Sequence, residues 1–150
     1  QAVEKLGYKT IVIASKLAVK GLRVPDNVTV LHNLSHEECR RYVQKARMNI
    51  VPLDNNQTAS GQVTVIEAMM YARPVIATEC VGTVDYITHE KDGLLVSPRS
   101  VEKLVEAIER SWSDNALRAE LGSAAQNTAK AKYSDKAAAQ ALSAILEEYV

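Results

Sequence analysis

The stretch SGQVTVIEAMMYARPVIAT, residues Ser60–Thr78, carries the pattern on which the fold assignment depends. Its first part predicts a helix over Gln62–Ala72, which ends at an Arg-Pro pair. The apolar residues that follow predict a buried strand over Pro74–Thr78. Upstream, MNIVP at Met48–Pro52 predicts another short strand. The order strand, helix, strand indicates a βα unit within a mostly parallel sheet.

The rest of the chain continues this alternation. Further strands are predicted at Lys9–Ala14, Val28–His32 and residues 92–96. Amphipathic helices are predicted to begin at Ser35, Ser100, Asp114 and Ser134, and a short helix is predicted at VDYI, residues 84–87. The sequence therefore predicts an α/β fold, Rossmann-like, with a mostly parallel sheet and helices on both faces.

Composition limits the classes of partner. The 150 residues fit one domain, 1–150, and the 18 basic residues balance the 18 acidic ones. This balance gives no electrostatic case for nucleic acid or an anionic membrane surface. No apolar run approaches the roughly 18 residues of a membrane span, and no signal peptide is visible, so we expect a cytoplasmic protein. Neither Cys39 and Cys80 nor the three histidines have metal-like spacing, so no metal is expected.

The helix at Gln62–Ala72 has features of an anion site. Ser60 and Gly61 immediately precede it, so backbone N–H groups and the helix dipole point at that end. Glu67, the only charged residue from Val63 to Ala72, is predicted to point back toward the same end. A phosphate at the helix start beside a hydroxyl held by Glu67 describes a nucleotide. The residues leave open that Glu67 instead bonds a buried hydroxyl or pairs with Lys or Arg.

Three segments together resemble a known family: SGQVTVIEAMMYARPVIAT, GTVDYITHEKDGLLVSP and SVEKLVEAIERS. In this order they resemble the donor-binding C-terminal half of retaining glycosyltransferases of the GT-B fold, glycosyltransferase family 4 or group 1 type. The resemblance runs from Lys9 to about Tyr133. It implies transfer of a hexosyl group from a nucleoside diphosphate sugar, such as a UDP or GDP sugar, to an acceptor sugar or lipid. Such enzymes act in polysaccharide or glycolipid biosynthesis, and no further cofactor is implied.

The resemblance also implies roles for individual residues. Glu67 matches the glutamate that holds the nucleotide ribose. The segment that matches the diphosphate-binding helix start comprises Ser60, Gly61, Gln62, Val63 and Thr64. The segment that matches the loop meeting the base, mainly by its backbone, comprises His32, Asn33 and Leu34. A loop near Ser15 and Lys16 is a weaker match to a segment that closes over the base.

The sequence departs from the family at one binding position. Ala59 stands where the family has a glutamate that contacts the transferred sugar, and Asp54 or Gln57 is a conceivable substitute through the loop. Arg73 replaces the glycine usual before the proline, which an exposed helix end tolerates. Which sugar is bound is therefore open.

The resemblance further implies parts that this chain lacks. These are a first strand between Lys9–Ala14 and Met48–Pro52, its basic diphosphate-binding loop, and an acceptor-binding N-terminal domain with the catalytic groups. We therefore expect a fragment of a larger two-domain enzyme, inactive alone. Lys16, Lys20 and Arg23 follow a later strand and are more typical of solvated loop charges. The alternatives are a non-catalytic nucleotide-binding or scaffold domain, which Ala59 favours, and a nucleotide-sugar epimerase.

Overall fold

A computed structural model describes residues 1–54, 56–57 and 59–148. Within them, the helices are α1 Ala2–Leu6, α2 His36–Lys45, α3 Gln62–Met70, α4 Val81–Val84, α5 Val101–Ser113, α6 Asn115–Lys132 and α7 Asp135–Glu148. The strands are β1 Thr10–Ile13, β2 Val28–Leu31, β3 Asn49–Val51, β4 Val75–Thr78 and β5 Leu94–Val96. The predicted loop positions 55 and 58 lie outside the described residues.

All strand pairs are parallel, but they form two sheets. One contains β1 and β2, and the other has the order β3-β4-β5. The registers pair Thr10 with Val28, Asn49 with Val75, and Ile76 with Leu94. The sequence predicts an interior strand missing between Lys9–Ala14 and Met48–Pro52, and β1 and β3 lie in different sheets. The predicted parallel α/β architecture is confirmed.

Two apolar layers pack on opposite faces of β4, all of whose residues are buried. Side chains alternate between the faces of a strand, so Val75 and Ala77 join one layer and Ile76 joins the other. The first layer contains residues of α3 and α6, including Val65, Met69 and Ala125. The second contains residues of α1, α5 and α6. Helices therefore cover both faces, as predicted.

Side-chain caps explain why three of the long helices begin where they do. Ser35 accepts a hydrogen bond from the Glu38 backbone while Glu38 returns to the Ser35 backbone, which completes the predicted capping box. Ser100 caps α5 through the Lys103 N–H, and Asp114 caps α6 through the Leu117 N–H. These contacts satisfy backbone donors that would otherwise lack partners inside the helix.

The predicted short helix at residues 84–87 is wrong in position. Helix α4 instead covers Val81–Val84 and starts three residues earlier. Thr83 is fully buried, and its hydroxyl donates to the Thr78 carbonyl at 2.6 Å and accepts from the Cys80 N–H at 3.1 Å. This buried threonine bonds the first turn of α4 to the end of β4. The local pattern of apolar residues did not indicate this contact.

Helix α3 also ends two residues before its predicted limit. Ala72 has a left-handed φ of 53°, so the chain leaves the helix before Arg73 and the following proline. Gly122 of α6 packs against this turn, because a Cβ there would lie 2.3 Å from the Ala72 carbonyl oxygen. The turn that ends α3 therefore lies in close contact with α6.

Candidate functional site

The start of α3 is built around Gly61. This residue is the helix N-cap with φ 83° and ψ −2°, a left-handed conformation that favours glycine. A Cβ at Gly61 would lie 2.6 Å from the Val51 Cγ1 atom, so the residue also needs to be small. Gly61 makes no side-chain cap bond, so no cap competes with a ligand for the first-turn N–H groups. This arrangement suits an anion.

The loop before α3 lies against the start of α4. The Val81 N–H donates to the Asn56 carbonyl at 3.1 Å. A Cβ at Gly82 would lie 2.7 Å from the Ala59 Cα and 2.8 Å from the Ser60 nitrogen. The absence of a side chain at Gly82 therefore lets α4 support the loop that leads into α3.

Glu67 faces α2 rather than the apolar core. Its side chain is 20% exposed, and its Oε1 atom accepts a hydrogen bond from the His36 Nε2–H at 2.6 Å. The Arg40 Nε atom lies 3.8 Å from the same oxygen. The other oxygen, Oε2, has no hydrogen bond from the described residues. The structure thus shows the carboxylate paired with basic groups through one oxygen, while the second has no hydrogen-bond partner among the described residues.

The predicted base-binding loop leads directly into the helix that contacts Glu67. The His32 ring bonds to the protein's own backbone, since its Nδ1 atom lies 2.7 Å from the Ala14 carbonyl oxygen. Asn33 has a left-handed φ of 54°, which asparagine tolerates better than most residues. Leu34 is half-buried, and α2 begins two residues later at His36. The structure therefore brings Glu67 to the first turn after the His32–Leu34 loop.

The remaining predicted binding residues lie on an accessible part of α3. Ser60, Val63 and Thr64 are exposed, and Gly61 and Gln62 are half-buried. The structure thus keeps the predicted diphosphate segment open to solvent on the same helix as Glu67.

Asp54, suggested as a substitute for the missing glutamate, and the basic residue Arg23 both pair with other side chains. The Asp54 carboxylate pairs with Arg99 at 3.2 Å, and the hydrogen bond from Arg99, followed by its charge, lowers the pKa of Asp54. Arg23 pairs with Glu4 at 3.1 Å, so it is not directed at the start of α3. Lys16 is exposed in the loop that follows β1.

A separate cleft of about 400 Å³ opens at the carboxyl ends of β3, β4 and β5. Its walls include Leu53, Asp54, Thr78, Ser97 and Arg99. None of the predicted donor-binding residues lines it. The geometry of the candidate site therefore comes from the start of α3 and from Glu67, not from this cleft.

No cluster of three or more His, Cys, Asp or Glu side chains suited to a metal ion occurs among the described residues. None of the helices in residues 1–54, 56–57 and 59–148 is long and apolar enough to cross a membrane.

A family model described as glycosyl transferases group 1 matches residues 7–128. The chain belongs to this family. The match includes β1 to β5, the start of α3, Glu67 and the His32–Leu34 loop. It ends within α6, four residues before that helix does.

Relatives agree with this assignment. The chain is 27% identical over 132 residues to an alpha-D-kanosaminyltransferase from Streptomyces kanamyceticus, an alignment covering 88% of this chain and 33% of the relative. Among solved structures, a sucrose-phosphate synthase from Thermosynechococcus elongatus matches with a TM-score of 0.78 and 23% identity, covering 99% of this chain and 42% of that one.

A second solved structure is the Anabaena protein HepE in complex with UDP-glucose. It has a TM-score of 0.73 and 20% identity, and the match covers 88% of this chain and 35% of HepE. These likenesses establish the fold as that of a GT-B glycosyltransferase C-terminal domain. The chain spans about a third of the length of the kanosaminyltransferase.

Sequence reasoning left open that Glu67 pairs with a Lys or Arg, as it does with Arg40, but it did not name that partner and it missed His36. His36 and Arg40 lie 31 and 27 positions before Glu67, so no local spacing connects them. The available signal was weak: His36 directly follows the Ser35 cap, which places it at a helix start. Glu67 could be identified as its partner only from the packing of α2 against α3.

Proposed function

We propose that this chain is the donor-binding domain, residues 1–150, of a retaining glycosyltransferase that transfers a hexosyl group from a nucleoside diphosphate sugar. The observation that carries the proposal is the placement of Glu67. Its carboxylate has one oxygen without a hydrogen bond from the described residues, lies on the helix whose start suits an anion, and adjoins the loop preceding α2. The family membership and the HepE complex with UDP-glucose support it.

In this proposal the diphosphate lies at the start of α3. Backbone N–H groups of Gln62, Val63 and Thr64 would stabilise the negative charge that grows on the diphosphate as the glycosidic bond breaks. Glu67 would accept a ribose hydroxyl through Oε2, and the backbone of the His32–Leu34 loop would meet the base. Each role needs only groups that the described residues supply.

We further propose that the chain works as part of a larger two-domain enzyme in the cytoplasm. The acceptor, a sugar or a lipid of polysaccharide or glycolipid synthesis, and the catalytic groups would come through the other domain. The separation of the strands into a two-stranded and a three-stranded sheet supports this, because unpaired strand edges invite another strand.

A second candidate is a domain of the same ancestry that binds nucleotide without transferring sugar. Ala59 favours it, because the alanine lies beside the start of α3 and has no polar group for a sugar hydroxyl. The two candidates differ in the affinity ratio of UDP-glucose to UDP. A donor site that holds the sugar binds UDP-glucose more tightly, whereas a nucleotide-only site shows no gain from the glucose.

Calorimetric titration with UDP, GDP and ADP tests the proposal. We expect one diphosphate to bind best and Glu67→Gln to weaken it about tenfold, because a charged hydrogen-bond acceptor is lost. Glu120→Gln, a substitution of an exposed carboxylate on α6, is the matched control and should bind as the wild type does. Binding that is equally strong in the Glu67→Gln variant would contradict the proposed role of Glu67.

A further inference from the structure

The contact between His36 and Glu67 joins two helices at the proposed donor site. The His36 Nε2–H donates to Glu67 Oε1 at 2.6 Å, and this leaves Oε2 without a hydrogen bond from the described residues. A free carboxylate on a flexible side chain would sample several rotamers, and a ligand would have to pay for ordering it. When Oε1 is held in place, the other carboxylate oxygen, Oε2, points in one direction.

We infer that His36 is a positioning residue: its Nε2–H holds Glu67 Oε1 so that Oε2 faces the ligand and accepts a nucleotide hydroxyl. This inference rests on the proposed donor site. It makes Glu67 an asymmetric acceptor, with Oε1 used by the protein and Oε2 used by the substrate. Preorganisation of this kind strengthens binding by reducing the ordering cost.

His36 lies outside the apolar core. Its side chain is 64% exposed, and α2 reaches the core through Val43 instead. The start of α2 is capped by Ser35 and Glu38 without His36. An exposed histidine whose only described side-chain partner is Glu67 is therefore available for a role at the site.

Arg40 acts on the same oxygen in a weaker way. Its Nε atom lies 3.8 Å from Oε1, beyond hydrogen-bond distance, so it contributes charge without fixing the direction of the carboxylate. Direction therefore depends on His36. The neighbouring Arg41 pairs with Glu37 on the outer side of α2 and does not contact Glu67.

The test compares UDP with 2′,3′-dideoxy-UDP, which lacks both ribose hydroxyls. We expect the wild type to prefer UDP about tenfold, and His36→Ala to reduce this preference to less than about threefold. His36→Gln keeps an N–H donor and should restore most of the preference. Arg41→Gln, on the same helix, should leave the preference unchanged. General loosening of the fold would weaken both ligands equally and leave their ratio unchanged.

Two outcomes would overturn the inference in distinguishable ways. If the wild type prefers UDP and His36→Ala shows the same preference, Glu67 needs no positioning and the donor site stands alone. If the wild type binds the two ligands equally, no hydroxyl is recognised through Glu67. If it binds neither, the same comparison is made with GDP and ADP and their dideoxy analogues, and binding of none of them removes the donor site. The proposed function then fails, and the role of His36 fails with it.

Discussion

Gly61→Ala should destabilise the protein more than the same change at another left-handed glycine. Gly61 has φ 83° and ψ −2°, and an L-residue in this region costs about 1 kcal/mol. The new Cβ would also lie 2.6 Å from the Cγ1 atom of the buried Val51, and such overpacking costs about 1–3 kcal/mol. We therefore expect a loss of about 2–4 kcal/mol in the free energy of unfolding, measured by urea denaturation followed through the fluorescence of Trp112.

Gly7→Ala is the matched control. Gly7 has φ 67° and ψ 4°, and a Cβ there would meet no atom within 4 Å. It should lose only the backbone cost of about 1 kcal/mol. Adding Val51→Ala to Gly61→Ala should give a favourable coupling energy, because the smaller side chain removes the clash. Equal losses in Gly61→Ala and Gly7→Ala would refute the close contact between the start of α3 and β3.

Three further predictions concern the framework around the site. Gly122→Ala should lower the free energy of unfolding by about 1–2 kcal/mol, because the cost of the clash with the Ala72 carbonyl exceeds the gain of about 1 kcal/mol in helix propensity. A rise in the urea midpoint would contradict this. Asp92→Ala should lower the free energy of unfolding by about 2–3 kcal/mol, since this buried carboxylate accepts hydrogen bonds at 2.7 and 2.8 Å from a backbone N–H and a threonine hydroxyl. A loss under 0.5 kcal/mol, roughly that of a surface change, would show these bonds to be unimportant. The hydrogen bond from Arg110, followed by its charge, lowers the pKa of Glu90. The stabilisation that this ion pair gives the folded state is therefore fully present above the ordinary carboxyl pKa and is lost as the pH falls through the lowered pKa. The difference in urea midpoint between wild type and Arg110→Gln should vanish in acid, and a difference that persists there would contradict the ion pair as its source.

Local patterns predicted most of the fold because the signals were local. The amphipathic pattern of α5 and the Ser35–Glu38 capping box each depend on residues within a few positions of one another. The buried strand β4 was equally clear, since its four residues are all buried between two layers of helix. The family resemblance then placed Glu67 and the start of α3 in a common role.

What the sequence could not supply were contacts between distant segments. Thr83 of α4 bonds to the end of β4, and Gly122 of α6 lies against the turn that ends α3. The amphipathic pattern of the helix predicted to begin at Ser134 was a misleading indication of burial, because its apolar residues Leu142, Ile145 and Leu146 are more than half exposed. Helical periodicity shows which residues share a face, but it does not show what that face meets.

The most direct test of the central claim is to map UDP binding on the backbone amide resonances of this chain. The account predicts concentration-dependent shifts at Gly61, Gln62 and Thr64, and their loss at the same UDP concentrations in Glu67→Ala. Shifts confined to the cleft around Thr78 and Ser97, or shifts at the start of α3 that Glu67→Ala leaves unchanged, would contradict it.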